Sequence, residues 1–189
     1  GFGCEGGRWV VGAVSRAGGG VFGGPRHQAL ENRGDLALEI FPFLGGRVSG
    51  ARRLIGNFSD LPEVLRFVNS ADAARLAHLG TSCPDHFIRT KVRPLLVTWP
   101  PGASVEGLRQ QIDSALKNYR EEYAEYYNSL AQPDSPPMRD SNPTVVLVPG
   151  IGSFSSGKSN TEARLTGEVS VQSSHWMERG PPGDTGHTP

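Results

Sequence analysis

The sequence lacks long apolar runs, and it lacks an excess of charge of either sign. Of its 189 residues 37% are hydrophobic, and 19 basic residues balance 19 acidic ones, so the formal net charge is zero. A transmembrane helix needs an apolar run of roughly 18 residues or more, which is missing, as is a polybasic patch for a membrane surface. Nucleic acid is bound by a clustered basic face. The composition therefore predicts neither a membrane nor a nucleic acid as partner.

Cysteine is scarce as well, and metal-binding patterns are missing. Cys4 and Cys83 lie far apart and follow no metal-ligand or redox spacing, which favours a reduced cytoplasmic protein. Neither an HxH nor an HExxH pattern is present, so the sequence supplies no recognisable metal site. The first residues also lack the basic-then-apolar pattern of a signal peptide. We therefore expect a cytoplasmic chain that holds no metal of its own.

Glycine and proline are abundant but unevenly distributed. The chain has 25 Gly and 15 Pro, and 14 of the Gly lie in the first fifty residues, while three of the Pro lie in the last nine. Glycine raises the entropy cost of ordering a chain, so we expect residues 1–47 to be largely irregular. Residues 180–189 are expected to be disordered. Residues 48–179 should then form the folded domain.

The middle of the chain predicts two consecutive short helices. Asp60 and Glu63, three residues apart, give a capping-box pattern, and Pro62 suits the first turn, where its missing N–H costs nothing. Ser70 is placed to cap a second short helix that runs to Leu79.

The longest predicted element is an amphipathic helix. Ser104 precedes a run to about Leu130 in which apolar and aromatic residues recur at three- and four-residue steps. The residues on this face are Leu108, Ile112, Ala115, Tyr119, Tyr123, Tyr126 and Leu130. Apolar runs at residues 94–99 and 144–148 predict buried strands, and a further helix is predicted from Asn160. The expected fold class is therefore α/β or α+β.

One segment matches the pattern of a phosphate-binding P-loop. Residues 152–159 read GSFSSGKS, and the pattern makes Gly152, Gly157, Lys158 and Ser159 the phosphate-binding residues. The segment follows an apolar strand, as a P-loop does. However, the residues after Lys158 contain only two apolar side chains before a glycine, whereas a P-loop helix needs an apolar stripe that packs on its sheet. Nucleotide or phosphate binding here is therefore an alternative.

A cluster of reactive and charged side chains follows the second short helix. Residues 83–91 read CPDHFIRTK and contain a thiol, a carboxylate, an imidazole, a guanidinium and an amine. A helical turn that starts at Asp85 would place Asp85 and Arg89 on one face. Such a group could bind a phosphate or sugar hydroxyls, or it could be a capped helix start with a surface ion pair. Asp85, His86, Arg89 and Lys91 are candidates for substrate or interface contacts.

Three stretches of the sequence resemble a known family. They are FVNSADAARLAHLGTSCPDHFIRTKVRPLLVTWPP (67–101), YREEYAEYYNSLAQPDSPPMRDSNPTVVLVPGIGSFSSGK (119–158) and TEARLTGE (161–168). They are similar to the later aldolase part of bifunctional proteins that join a class II aldolase/adducin-type domain to a short-chain dehydrogenase. Such proteins are usually described as rhamnulose-1-phosphate aldolase/alcohol (lactaldehyde) dehydrogenases. The resemblance covers about residues 48–168.

The resemblance implies zinc and NAD in the full-length protein but not in this chain. In the family, zinc is held by histidines of an earlier HxH segment with an acidic partner, and the dehydrogenase with its strand–GxGxxG–helix follows later. The family also carries a similar Gly-Lys turn at residues 152–158 without being an NTPase. We therefore expect a fragment of a rhamnose-metabolism enzyme, inactive alone. Its partners would be the missing aldolase and dehydrogenase parts and, in the full-length protein, a sugar phosphate. A non-enzymatic interaction module of adducin-like type is the alternative.

Overall fold

The computed structural model describes residues 3–5, 8–10, 24–50, 53–79 and 90–179, with side chains over 24–50, 53–79 and 90–170. These residues form a short hairpin and a four-stranded sheet with helices on both faces. In chain order the elements are β1 (Gly3–Glu5), β2 (Arg8–Val10), α1 (Arg33–Val48), β3 (Ile55–Ser59), α2 (Pro62–Val68), α3 (Ala73–Leu79), β4 (Leu95–Leu96), α4 (Val105–Leu130), β5 (Val145–Val148), β6 (Gly152–Gly157) and α5 (Asn160–Arg179). Within the described residues, no helix is both long and apolar enough to cross a membrane.

The four-stranded sheet has the order β3-β6-β5-β4. Strand β6 pairs antiparallel with β3 and β5, whereas β4 pairs parallel with β5. Helix α4 makes the crossover that two parallel neighbours require. The mixture of helices and one sheet confirms the predicted α/β or α+β class.

Alternating side chains of β5 divide the core between the two faces of the sheet. Val146 and Val148 pack with α1 and α4, and Val145 and Leu147 pack with α2 and α3. Helix α5 lies on the α2–α3 face, where the Ser155 hydroxyl donates a hydrogen bond to the Ala163 carbonyl at 2.8 Å. The sheet is therefore covered by helices on both sides.

Helix α1 corrects the expectation that residues 1–47 are irregular. Residues 33–48 form a helix that buries Ala37, Ile40, Leu44 and Val48 against α4 and the sheet. These four residues lie three or four positions apart, so they form one apolar stripe. Burial of that stripe outweighs the low helix propensity of the glycines and of Pro42 within the helix.

The two short predicted helices are confirmed, but neither predicted cap is: among the described residues the buried Ser70 hydroxyl has no hydrogen-bond partner. Helix α2 begins at Pro62 after Leu61, whose side chain makes no capping hydrogen bond. The Asp60 carboxylate instead accepts a hydrogen bond from the Arg33 guanidinium at 2.9 Å. Its pairing with α1 therefore replaces the predicted capping box. Helix α3 ends at Leu79, as predicted.

The long amphipathic helix is confirmed as α4. The Ser104 hydroxyl accepts a hydrogen bond from the Gly107 backbone N–H at 3.1 Å, so Ser104 is the N-cap. Leu108, Ile112, Leu116 and Tyr119 are its buried residues, so the core contact lies in the first fifteen residues of the helix. Tyr126 and Leu130, which were predicted on the same face, are exposed. The Tyr119 hydroxyl donates to the Arg93 carbonyl at 2.8 Å. This tyrosine therefore packs in the core, as the sequence indicated.

Candidate functional site

Of the four candidate residues near residue 90, only Lys91 belongs to the described part of the chain. Asp85, His86 and Arg89 lie outside it. The Lys91 backbone has a φ of 61°, in the left-handed region that residues other than glycine rarely adopt. The Lys91 side chain reaches the segment that leads into β5.

The Lys91 amine is held by backbone carbonyls. Its Nζ donates hydrogen bonds to the carbonyl oxygens of Asp140 and Asn142, and it lies 5.2 Å from the centroid of the Tyr123 ring. Burial lowers the pKa of the Lys91 amine, and the Asp140 carboxylate opposes that shift. Two of the three amine hydrogens are therefore committed to tying residues 90–93 to residues 139–142.

A second basic side chain fixes the same segment from α4. The Arg120 guanidinium donates to the Asn142 side-chain oxygen at 2.7 Å and to the Arg47 carbonyl at 2.9 Å. The Asp140 carboxylate accepts hydrogen bonds from the backbone and side-chain nitrogens of Asn142, both at 2.9 Å. Lys91, Arg120, Asp140 and Asn142 thus form one polar network, which we call the Lys91 network.

The segment with the P-loop pattern forms a strand and not a loop. Gly152 and Gly157 are the two ends of β6, which pairs with β3 on one side and β5 on the other. Backbone amides in a sheet ladder are committed to neighbouring strands, whereas a P-loop leaves them free to cradle phosphate oxygens. The strand therefore lacks the geometry of a phosphate cradle.

Lys158 and Ser159 lie at the start of α5. The Ser159 hydroxyl accepts a hydrogen bond from the Glu162 backbone N–H at 3.1 Å, and the Glu162 carboxylate accepts one from the Lys158 backbone N–H at 2.7 Å. A Cβ at position 157 would lie 2.5 Å from the Ala163 nitrogen. Gly157 is therefore explained by the close approach of helix and strand, and Ser159 by helix capping.

The sequence reasoning missed a group of polar side chains around Arg93. The Arg93 guanidinium contacts the His78 ring of α3 and forms an ion pair with the Glu122 carboxylate of α4. Only 21% of the Arg93 side chain is exposed. His78 and Glu122 are distant from Arg93 in sequence, so no local pattern links the three residues. The nearest signal in the sequence was that Arg93 follows the charged cluster, two residues after Lys91.

Comparison with known proteins places the chain in a family. Residues 35–181 match the family described as "Aldolase class II, second domain". The chain belongs to this family. The match begins two residues into α1, so the family includes that helix, which the resemblance seen in the sequence had left out.

A second comparison gives a relative of this second domain. The chain is 37% identical over 152 residues to "Uncharacterized oxidoreductase YuxG" of Bacillus subtilis (strain 168). The aligned region is 79% of this chain and 22% of the relative, so the chain spans about a fifth of that protein. No solved structure matches the chain.

Two features of the described residues concern metal and dinucleotide binding. Within the described part of the chain, no three His, Cys, Asp or Glu side chains are grouped so that they could hold a metal ion. The crossover from β4 to α4 carries Pro100, Pro101 and Gly102 and not the GxGxxG turn that binds a dinucleotide pyrophosphate.

Proposed function

We propose that this chain is the second domain of a longer protein that joins a sugar-phosphate aldolase of the rhamnulose-1-phosphate type to a short-chain dehydrogenase. In this proposal zinc and NAD bind to other parts of that cytoplasmic protein. The second domain supports the aldolase by its contacts and does not carry out the cleavage itself. On its own the chain is inactive.

The family match is the observation that carries this proposal. A second domain implies a first, and the family match starts within α1, the helix that begins at residue 33. The relative in Bacillus subtilis is named an oxidoreductase, which is consistent with an aldolase domain joined to a redox enzyme. The described residues that could have been metal ligands are instead dispersed over the fold.

Substrate or interface contacts are proposed for the charged cluster of residues 83–91. We propose that Asp85, His86 and Arg89 provide substrate or interface contacts, as predicted from the sequence. For Lys91 we propose a structural role instead of a substrate contact, because its amine is already bound to two carbonyls. It ties its own segment, at the end of the charged cluster, to the residues that lead into β5.

Genomic DNA on either side of the coding region tests this proposal directly. We expect one flank, translated in all three frames, to encode an HxH segment of an aldolase first domain. The other flank should encode a strand–GxGxxG–helix of a dehydrogenase. Flanks that encode neither motif in any frame would contradict the proposed assembly, although the family membership of the chain would stand.

A further inference from the structure

A polar cleft opens between α3, β4 and α4, apart from the Lys91 network and from the Gly152–Ser159 segment. Its volume is about 330 Å³. Ligand-binding cavities in proteins typically measure about 300–1,000 Å³, so the cleft is large enough for a small ligand. Among the described strands β4 stands at one end of the sheet, and its residues Leu95 and Leu96 line the cleft.

The two long walls of the cleft differ in chemistry. Helix α4 contributes Gln111, Ser114, Asn118 and Glu122, which lie three or four positions apart and therefore share one face of the helix. The opposite wall is mixed: Ala77 and Leu96 are apolar, whereas His78, Arg93 and Thr98 carry polar groups. A ligand in this cleft would contact hydrogen-bonding groups on α4 and both apolar and polar groups on the opposite side.

The amide groups on the polar wall are available to a ligand. Among the described residues, none forms a hydrogen bond with the side chain of Gln111 or of Asn118. An amide side chain offers two N–H donors and one acceptor oxygen. Each of these two residues can therefore donate to one ligand group and accept from another.

One end of the cleft carries a guanidinium and a carboxylate side by side. Arg93 is paired with Glu122 and is steadied by contact with His78. A hydroxyl group can accept a hydrogen bond from the guanidinium and donate one to the carboxylate, so the pair suits neighbouring hydroxyls. Because the charges of Arg93 and Glu122 cancel, this end offers less attraction to an anion than an unpaired arginine would.

We propose that this cleft binds a small polyhydroxylated molecule of monosaccharide size and that recognition does not require a phosphate group. Gln111 and Asn118 hydrogen-bond the hydroxyls, the Arg93–Glu122 pair binds two neighbouring hydroxyls, and the apolar side chains of Ala77 and Leu96 pack against C–H groups of the ring. Binding here needs neither the aldolase first domain nor the dehydrogenase.

Binding can be measured by NMR titration of the isotope-labelled chain with D-glucose, D-fructose, L-rhamnose and inorganic phosphate. We expect saturable shifts in α3 and α4 with at least one of the sugars and no such shifts with phosphate. Gln111→Ala and Asn118→Ala should each raise the Kd about 3- to 10-fold, the equivalent of one lost hydrogen bond. The exposed α4 residues Gln110 and Asn128 supply matched controls, and Gln110→Ala and Asn128→Ala should leave the Kd unchanged.

Three results would contradict the proposal. One is the absence of a saturable response to any of the three sugars while the spectrum shows a folded chain. Another is binding of phosphate at the same residues, which would make the cleft an anion site. The third is sugar binding that the Gln111→Ala and Asn118→Ala variants leave unchanged, which would place the sugar elsewhere. Because both substituted residues are exposed, the variants should fold, and circular dichroism checks this.

Discussion

The carboxylate of Glu162 accepts a hydrogen bond from the backbone N–H of Lys158 at 2.7 Å, at the start of α5. A helix start attracts anions because its first N–H groups lack partners within the helix. Here a side-chain carboxylate takes the place that a phosphate would need. Because of this hydrogen bond, we expect that the Gly157-Lys158-Ser159 segment does not bind a nucleotide.

ATP with magnesium should therefore leave the melting temperature of the chain unchanged. A ligand at a hundredfold its Kd would stabilise the fold by roughly 2.7 kcal/mol, which is an easily measured shift. Lys158→Ala should change the free energy of unfolding by no more than about 0.5 kcal/mol, as for an ordinary surface position. Glu162→Ala should cost about 1 kcal/mol through loss of the cap, whereas the exposed Glu168→Ala should cost less. An ATP-dependent shift that disappears in Lys158→Ala would restore the P-loop interpretation.

Two glycines should respond in opposite directions to alanine. Gly46 lies inside α1, and a methyl group added there would meet no atom within 4 Å apart from the adjacent backbone of its own helix. Gly46→Ala should therefore stabilise the chain by about 0.5–1 kcal/mol. A Cβ at Gly157 would collide with the backbone of α5, so Gly157→Ala should destabilise it by about 1–3 kcal/mol. Urea unfolding measures both changes. Loss of stability in Gly46→Ala would show that residues 33–48 are not helical in solution.

Lys91→Met tests the Lys91 network. Methionine keeps much of the apolar stem but removes the amine, which leaves the carbonyls of Asp140 and Asn142 without that donor. We expect a loss of about 1–3 kcal/mol in the free energy of unfolding. The exposed Lys117 on α4 supplies the control, and Lys117→Met should change stability by about 0.5 kcal/mol or less. Equal effects at the two positions would mean that Lys91 does not fix the segment before β5.

The raised pKa of the Tyr119 hydroxyl predicts that the chain loses stability in alkaline solution. Burial raises the pKa of the Tyr119 hydroxyl above its ordinary value of 10.0, and the Arg93 guanidinium partly opposes this. Above pH 10 the unfolded state therefore loses this proton before the folded state does, so stability falls as pH rises. Tyr119→Phe should cost about 0.5–1.5 kcal/mol near neutral pH through the lost hydrogen bond to the Arg93 carbonyl.

The difference between wild type and Tyr119→Phe should then shrink above pH 10, because phenylalanine has no proton to lose. Urea unfolding of both proteins over the alkaline range provides the measurement. Parallel pH profiles would show that Tyr119 titrates normally and is accessible to solvent. Tyr123, whose pKa is also raised by burial, is present in both proteins and cancels in the comparison.

The spacing of apolar residues in the sequence was enough to predict some of the helices and strands. Helix α4 follows from the spacing of Leu108, Ile112 and Tyr119, and β5 from its continuous apolar run. Helix α1 carries a similar apolar stripe, but its glycines and Pro42 have low helix propensity and argued against a helix. Burial of the stripe overcomes that low propensity, and the sequence alone does not show the burial.

The candidate site depended more on contacts between distant residues. The local pattern assigns Asp60 to a cap because Glu63 and Pro62 follow it, yet its partner is Arg33, 27 positions earlier. Arg93 could not be singled out because His78 and Glu122 reach it only once α3 and α4 pack beside β4. The role of Asp85, His86 and Arg89 stays a prediction, because these residues lie outside the described part of the chain.

We propose that this second domain supports an aldolase and does not carry out the cleavage alone. The most direct test is metal analysis of the purified chain together with an assay for cleavage of rhamnulose 1-phosphate in the presence of added zinc. We expect no stoichiometric zinc after dialysis and no cleavage above the buffer rate. One tightly held zinc per chain together with turnover of the sugar phosphate would contradict it.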